Sequence, residues 1–210
     1  FKEKPTIVSV FLFGGLMSRH TLLLILALSL LLVWTQSLDV NSWAYNRDAI
    51  ANGEYWRLIT GHFIHLNNAH LLLNMLGVGL VLMLFDSVLA IWQWFVFLLA
   101  SAFIISVLMY LNLPQVQGYV GLSGVIHGLY VLASMRLLIQ PKERNLAIIL
   151  ILLVTLKLLT ENRGQGISFT ADMIGGHVLL QAHLFGALVG LLFGVLAWLP
   201  KWLNADKKQE

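Results

Sequence analysis

Cysteine is missing from all 210 residues, and its absence excludes disulfides, thiol catalysis and cysteine metal sites together. Charge is also scarce: 11% of residues are Asp, Glu, Lys or Arg, against roughly 25% in an average soluble domain. The short alternating apolar and polar segments of a membrane β-barrel do not occur, which leaves helices as the way through a bilayer. A soluble fold is excluded by what fills the space: 59% of the residues are hydrophobic and the mean hydropathy is +0.82. The formal charge of +3 and the pI near 9.3 do not point to nucleic acid, because the cations sit at the ends of apolar runs rather than in one stripe.

A hydrocarbon core about 30 Å thick needs roughly 20 apolar helical residues to cross it. Uncharged runs cover residues 20–38, 58–85, 87–135 and 173–200, with a weaker one at 145–156. The 87–135 run divides at Asn112-Leu113-Pro114-Gln115-Val116-Gln117-Gly118, whose backbone would be unsatisfied in lipid. The reading is all-α: one membrane domain over 1–210, with six spans at about 21–37, 69–85, 88–111, 120–138, 145–159 and 178–199. The opening residues, with Lys2, Lys4 and Arg19, lie at the membrane surface in this reading. The chain opens on Phe1 rather than Met, and its first stretch does not read as a cleavable signal peptide. The aromatic connection 39–69 rests half in the membrane, and Asp86 marks a tight turn. Span five is short, about 22 Å long, with Lys157 snorkelling, and residues 160–177 read as a flexible polar loop. Nine of the 13 Lys and Arg fall at the termini or in the 136–144 connection, so both termini are expected on the cytoplasmic side.

That orientation gathers the buried polar residues. His70 and Asn74 fall in the first turns of span two, Ser123 in the first turn of span four, and His183 early in span six. All three spans then start outside, which places these groups in one layer roughly 5–10 Å below the outer surface. Polar groups are costly in lipid and mark candidate functional sites. Each has a bland reading as well. Gly121-Leu122-Ser123-Gly124 in a span is more often a packing device, and His70 with Asn74 at i, i+4 is more often an interhelical hydrogen bond. His183 stands in Ala182-His183-x-x-Gly186-x-x-x-Gly190-x-x-x-Gly194, a small-residue groove for a close neighbour. If span four, with Gly124 and Gly128 also four apart, fills that groove, Ser123 and His183 come within reach. Serine becomes a nucleophile when a histidine takes its proton. Asn74, His70 and the Ser123 backbone N–H would be donors for an oxyanion, with a helix dipole behind them. No Asp or Glu falls within the spans at that depth, so a Ser-His dyad is expected over a triad.

The blocks "WRLITGHFIHLNNAHLLLNM", "GLSG" and "AHLFGALVG" resemble the rhomboid intramembrane serine proteases in order and spacing across positions 56–190. The resemblance implies Ser123 as nucleophile, His183 as general base, His70 and Asn74 as oxyanion stabilisers, and Trp56-Arg57 as a structural pair of the first loop. It also makes 160–177 a cap over the site and span five the helix proposed to admit substrate sideways. Where many rhomboids carry a tyrosine packed on the base, this chain has His127, four residues after Ser123 and so a rival base. His127 within "GLSGVIHGL", on a minimal six-span chain, is similar to the rhombosortase branch. That branch implies single-span substrates with a Gly-Gly-containing C-terminal sorting helix, and a bacterial inner membrane with the site toward the periplasm. Membrane lipids are the other expected partners; no nucleic acid, cofactor or metal is expected. His62-x-x-His65 has no carboxylate or cysteine to complete a metal set. The competing functions are a silent rhomboid relative that binds transmembrane segments and a small transporter; against the latter there is no embedded carboxylate and no visible inverted repeat.

Overall fold

The computed structural model describes residues 18–86, 88–162 and 167–206. The opening segment with Lys2 and Lys4 lies outside them, as do Arg163, Gly164, Gly166, Lys207 and Lys208. In chain order the helices are α1 (Arg19–Thr35), α2 (Val40–Trp43), α3 (Arg47–Ala51), α4 (Arg57–Thr60), α5 (Asn68–Leu84), α6 (Ile91–Asn112), α7 (Ser123–Leu138), α8 (Arg144–Asn162), α9 (Ile167–Ile174) and α10 (Leu180–Asp206). A 3-10 turn spans Gly61–Phe63, and two short strands, β1 (Tyr45–Asn46) and β2 (Gly118–Tyr119), pair antiparallel.

The α7 helix is the axis of the bundle. Its buried residues include the unbroken run Val131 to Met135, so that stretch is enclosed on every side, as a helix apolar all round should be. Leu122, Val125, Leu129 and Leu137 join Phe97, Ile105 and Met109 of α6 and Val78, Val81 and Leu82 of α5 in the main core. The outer helices keep large apolar side chains exposed, for example Leu22, Leu26 and Leu30 on α1 and Leu188, Leu192 and Leu196 on α10. Such a surface is stable only against lipid, and the chain is a membrane protein. Among the described residues, two helices are long and apolar enough to cross a bilayer, Ile91–Asn112 and the Leu180–Ala197 part of α10. The pair Arg57–Phe63 and Asn68–Leu84, bent by 93°, would be a third, while α1 and α7 are apolar but shorter.

Three expectations change. The fifth apolar helix is not short: α8 has 19 residues, about 28 Å, because it continues a turn past Leu159. Lys157 is paired with Glu161 one turn on rather than merely snorkelling. The segment 160–177 is not simply a polar loop, since it carries the last turn of α8 and the whole of α9.

The 39–67 connection is folded tightly. Asp39 caps α2, accepting from Asn41 N and Ser42 N. Arg57 is buried and donates to Glu54 at 2.7 Å, to the Asn41 carbonyl at 2.8 Å and to the Ala44 carbonyl at 2.9 Å, whereas Trp56 beside it is exposed. The Arg57 guanidinium therefore does the holding in that pair. Arg47 donates to the Tyr110 carbonyl at 2.6 Å and lies over the Tyr110 ring, closing the C-terminal end of α6. At the other membrane face, the Asp86 carboxylate accepts from Ser18 N, Ser18 Oγ and Thr21 Oγ1, tying the α5–α6 turn to the start of α1.

Candidate active site

The site begins with a backbone device. Gly121 has φ +114°, in the left-handed region, and its N–H donates to the Gly61 carbonyl at 3.1 Å while its carbonyl accepts from the Tyr119 hydroxyl at 2.7 Å. The chain is thereby turned so that Ser123 becomes the first residue of α7, where no side chain caps the first-turn N–H groups. A side chain on Gly121 would also collide with His70, whose Nε2 would lie 2.6 Å from the new Cβ.

Close helix contact supplies the partner. A Cβ on Gly124 would lie 2.7 Å from the Ala182 carbonyl oxygen, and one on Gly128 would lie 2.7 Å from that of Gly186. Conversely, a Cβ on Gly186 would run into the Gly124 carbonyl, and one on Gly190 into the Gly128 carbonyl. The α7 and α10 backbones touch along this seam. One consequence is that Ser123 Oγ lies 2.9 Å from His183 Nε2. His183 is buried, and its Nδ1 lies 2.9 Å from Glu161 Oε2, while Lys157 holds the other carboxylate oxygen.

This chain of contacts fixes the proton positions. An ionised carboxylate only accepts, so His183 Nδ1 carries the ring proton and donates to Glu161. In the neutral form of the ring that tautomer presents a lone pair at Nε2 to the Ser123 hydroxyl. The expectation that no carboxylate reaches this layer is therefore corrected. Glu161 reaches it because α8 extends to Asn162, whereas the polar run Thr160 to Arg163 reads in sequence as the end of the span. The available signal was Lys157 and Glu161 at i, i+4, a pair that stabilises one more helical turn.

His127 stacks on His183, with ring centroids 4.2 Å apart and planes 16° from parallel. Its Nδ1 lies 2.8 Å from the Ser123 carbonyl oxygen, to which it donates, so that nitrogen is engaged with the backbone of its own helix. His70 and Asn74 line the same cavity as Ser123 and His183. Leu66 N approaches His70 Nδ1 at 3.4 Å, which leaves the proton on Nε2, beside Gly121. Asn74 Nδ2 donates to the His70 carbonyl at 2.9 Å, and its Oδ1 is buried without a hydrogen-bond partner. His65 stands edge-on to His70, and His62 is bonded to Ser106 at 3.0 Å. His177 is a loop residue at the cavity rim.

The cavity holds about 1020 Å³. Its walls run from the serine down between α5, at Gly77 and Leu80, and α8, at Leu153 and Val154, which makes an apolar trough with a polar head. One metal-like grouping occurs among the described residues: donor atoms of His127, Glu161 and His183 all lie within 4.8 Å of one another. Two of these three groups already bond to each other.

A helical membrane protein with a serine and an imidazole in hydrogen-bond contact at the head of an apolar trough has two of the parts that acyl-transfer chemistry requires. The sequence comparisons supply the family. Residues 52–200 match the Rhomboid domain model. The chain is 28% identical over 185 residues to "Putative rhomboid protease YdcA" of Bacillus subtilis (strain 168), covering 82% of this chain and 85% of that protein. The chain belongs to the rhomboid family.

Proposed function

We propose that the chain is an intramembrane serine endopeptidase in which Ser123 is the nucleophile and His183 the general base. The supporting observation is the 2.9 Å contact between Ser123 Oγ and His183 Nε2, at the polar head of the trough. On attack at a substrate carbonyl, His183 takes the serine proton, and the oxyanion receives hydrogen bonds from His70 Nε2–H, Asn74 and the Ser123 backbone N–H. His183 then protonates the leaving amine, and water or another amine resolves the acyl-enzyme. The apolar trough suits a transmembrane or C-terminal sorting helix, and the rhombosortase-like reading, with a Gly-Gly sorting signal, six spans over residues 1–210, both termini cytoplasmic and a bacterial inner-membrane location, belongs to this proposal. The stacking of His127 on His183 supports a packing role for His127 rather than that of base.

Labelling by a fluorophosphonate in detergent micelles tests the proposal. Ser123→Ala and His183→Ala should each abolish labelling, whereas His127→Phe should keep a measurable rate. Labelling unchanged in Ser123→Ala would refute the peptidase reading in favour of a relative that only binds helices, and loss in His127→Phe with retention in His183→Ala would exchange the two histidines.

A further inference from the structure

We infer that Glu161 is a positioning residue for His183, which makes the working unit a Ser123–His183–Glu161 triad tuned by Lys157. The inference rests on the peptidase reading of Ser123 and His183. Its basis is directional. Glu161 Oε2 meets Nδ1, the ring nitrogen turned away from the serine, at 2.9 Å, while Nε2 meets Ser123 Oγ at the same distance. A carboxylate at Nδ1 does two things that a packing contact cannot do. It selects the tautomer whose Nε2 lone pair faces the nucleophile, and it stabilises the imidazolium that forms when the serine proton arrives.

Lys157 shares the same carboxylate through its other oxygen. Its charge draws on the carboxylate and moderates the effect of Glu161 on the ring. The two residues are one turn apart on α8, so a single helix supplies both the orienting anion and its counter-charge. The neighbouring titratable groups around His183 in the cavity are His127, His70, His177, Tyr119 and Tyr130; all remain unaltered in the variants that follow.

The test is the second-order rate of fluorophosphonate labelling, measured from about pH 5 to 9 on the full chain in micelles. It needs no known substrate. An anion next to the imidazole favours its protonated form, so removing it moves the acid limb of the profile to lower pH, while removing the cation that competes for that anion moves the limb to higher pH. Glu161→Gln should slow labelling about 10- to 100-fold and lower the limb, because its amide can also donate to Nδ1 and impose the wrong tautomer. Glu161→Asp should restore part of the rate, and Lys157→Met should raise the limb. A Glu161→Gln protein that labels as fast as the unaltered chain, or more slowly with the limb unmoved, would overturn the inference while the peptidase reading stood. If Glu161→Gln does not fold, the limb in Lys157→Met decides, and no upward movement would overturn the inference. Absence of any Ser123-dependent labelling in the unaltered chain would remove the peptidase reading and this inference with it.

Discussion

The two helices that converge on His183 are held in opposite ways. α10 reaches the site through backbone contact with α7 along Gly124, Gly128, Gly186 and Gly190, with no side chain between. α8 reaches it through side chains, Glu161 to His183, across the wall of a cavity. The first half of α8 joins the main core through Ala147 and Leu150, but Val154 and Leu158 belong to a small satellite cluster with Val131, Met135 and Ala187. The difference teaches a division of labour: backbone contact fixes the distance between Ser123 and His183, and side-chain contact fixes the orientation of the His183 ring.

That comparison can be broken most severely at the seam. Gly186→Val puts its Cβ onto the Gly124 carbonyl and adds two methyl groups to the seam, and should cost roughly 3 kcal/mol or more and abolish labelling at Ser123. Thermal unfolding in micelles, read alongside labelling, checks both effects. On the α8 side, Val154→Ala removes a buried group from the satellite cluster and should cost only about 1 kcal/mol by the same unfolding measurement. A loss as large as that of Gly186→Val would show that α8 is as tightly built in as α10. The smallest effect is expected at Gly79, where a new Cβ meets nothing within 4 Å. Gly79→Ala should leave labelling unchanged and add up to about 1 kcal/mol of stability, since alanine is the better helix former. Destabilisation there would mean that glycine in this bundle is intolerant of substitution everywhere, and the seam would lose its special status.

Much of this arrangement was legible in the sequence, for identifiable reasons. Matching four-residue glycine spacings around Ser123 and His183 foretell two helices in backbone contact, because only small residues allow it and only a repeat of four keeps them on one face. The helix bounds of α1 and α5 fall within two residues of the spans expected at about 21–37 and 69–85. Glu161 was not legible, because charge ordinarily marks the end of a span, and a carboxylate held between Lys157 of its own helix and His183 of another breaks that rule. The folded 39–67 connection was hidden for a related reason: its short helices are too brief to stand on propensity and depend on Arg57 and Arg47 reaching distant carbonyls. Helical spacing alone could not decide between His127 and His183 as partner of Ser123. The i+4 histidine spends its Nδ1 on the Ser123 carbonyl, whereas the histidine 60 residues away meets the hydroxyl.

The left-handed turn at Gly121 ties two separate parts of the chain to one point. Its N–H reaches Gly61 and its missing side chain leaves room for His70, so His70 and the start of α7 meet at one point. Ser123, two residues on, therefore has its place at the head of α7 set by the 61–70 segment, and a change in that segment displaces the serine as well as His70.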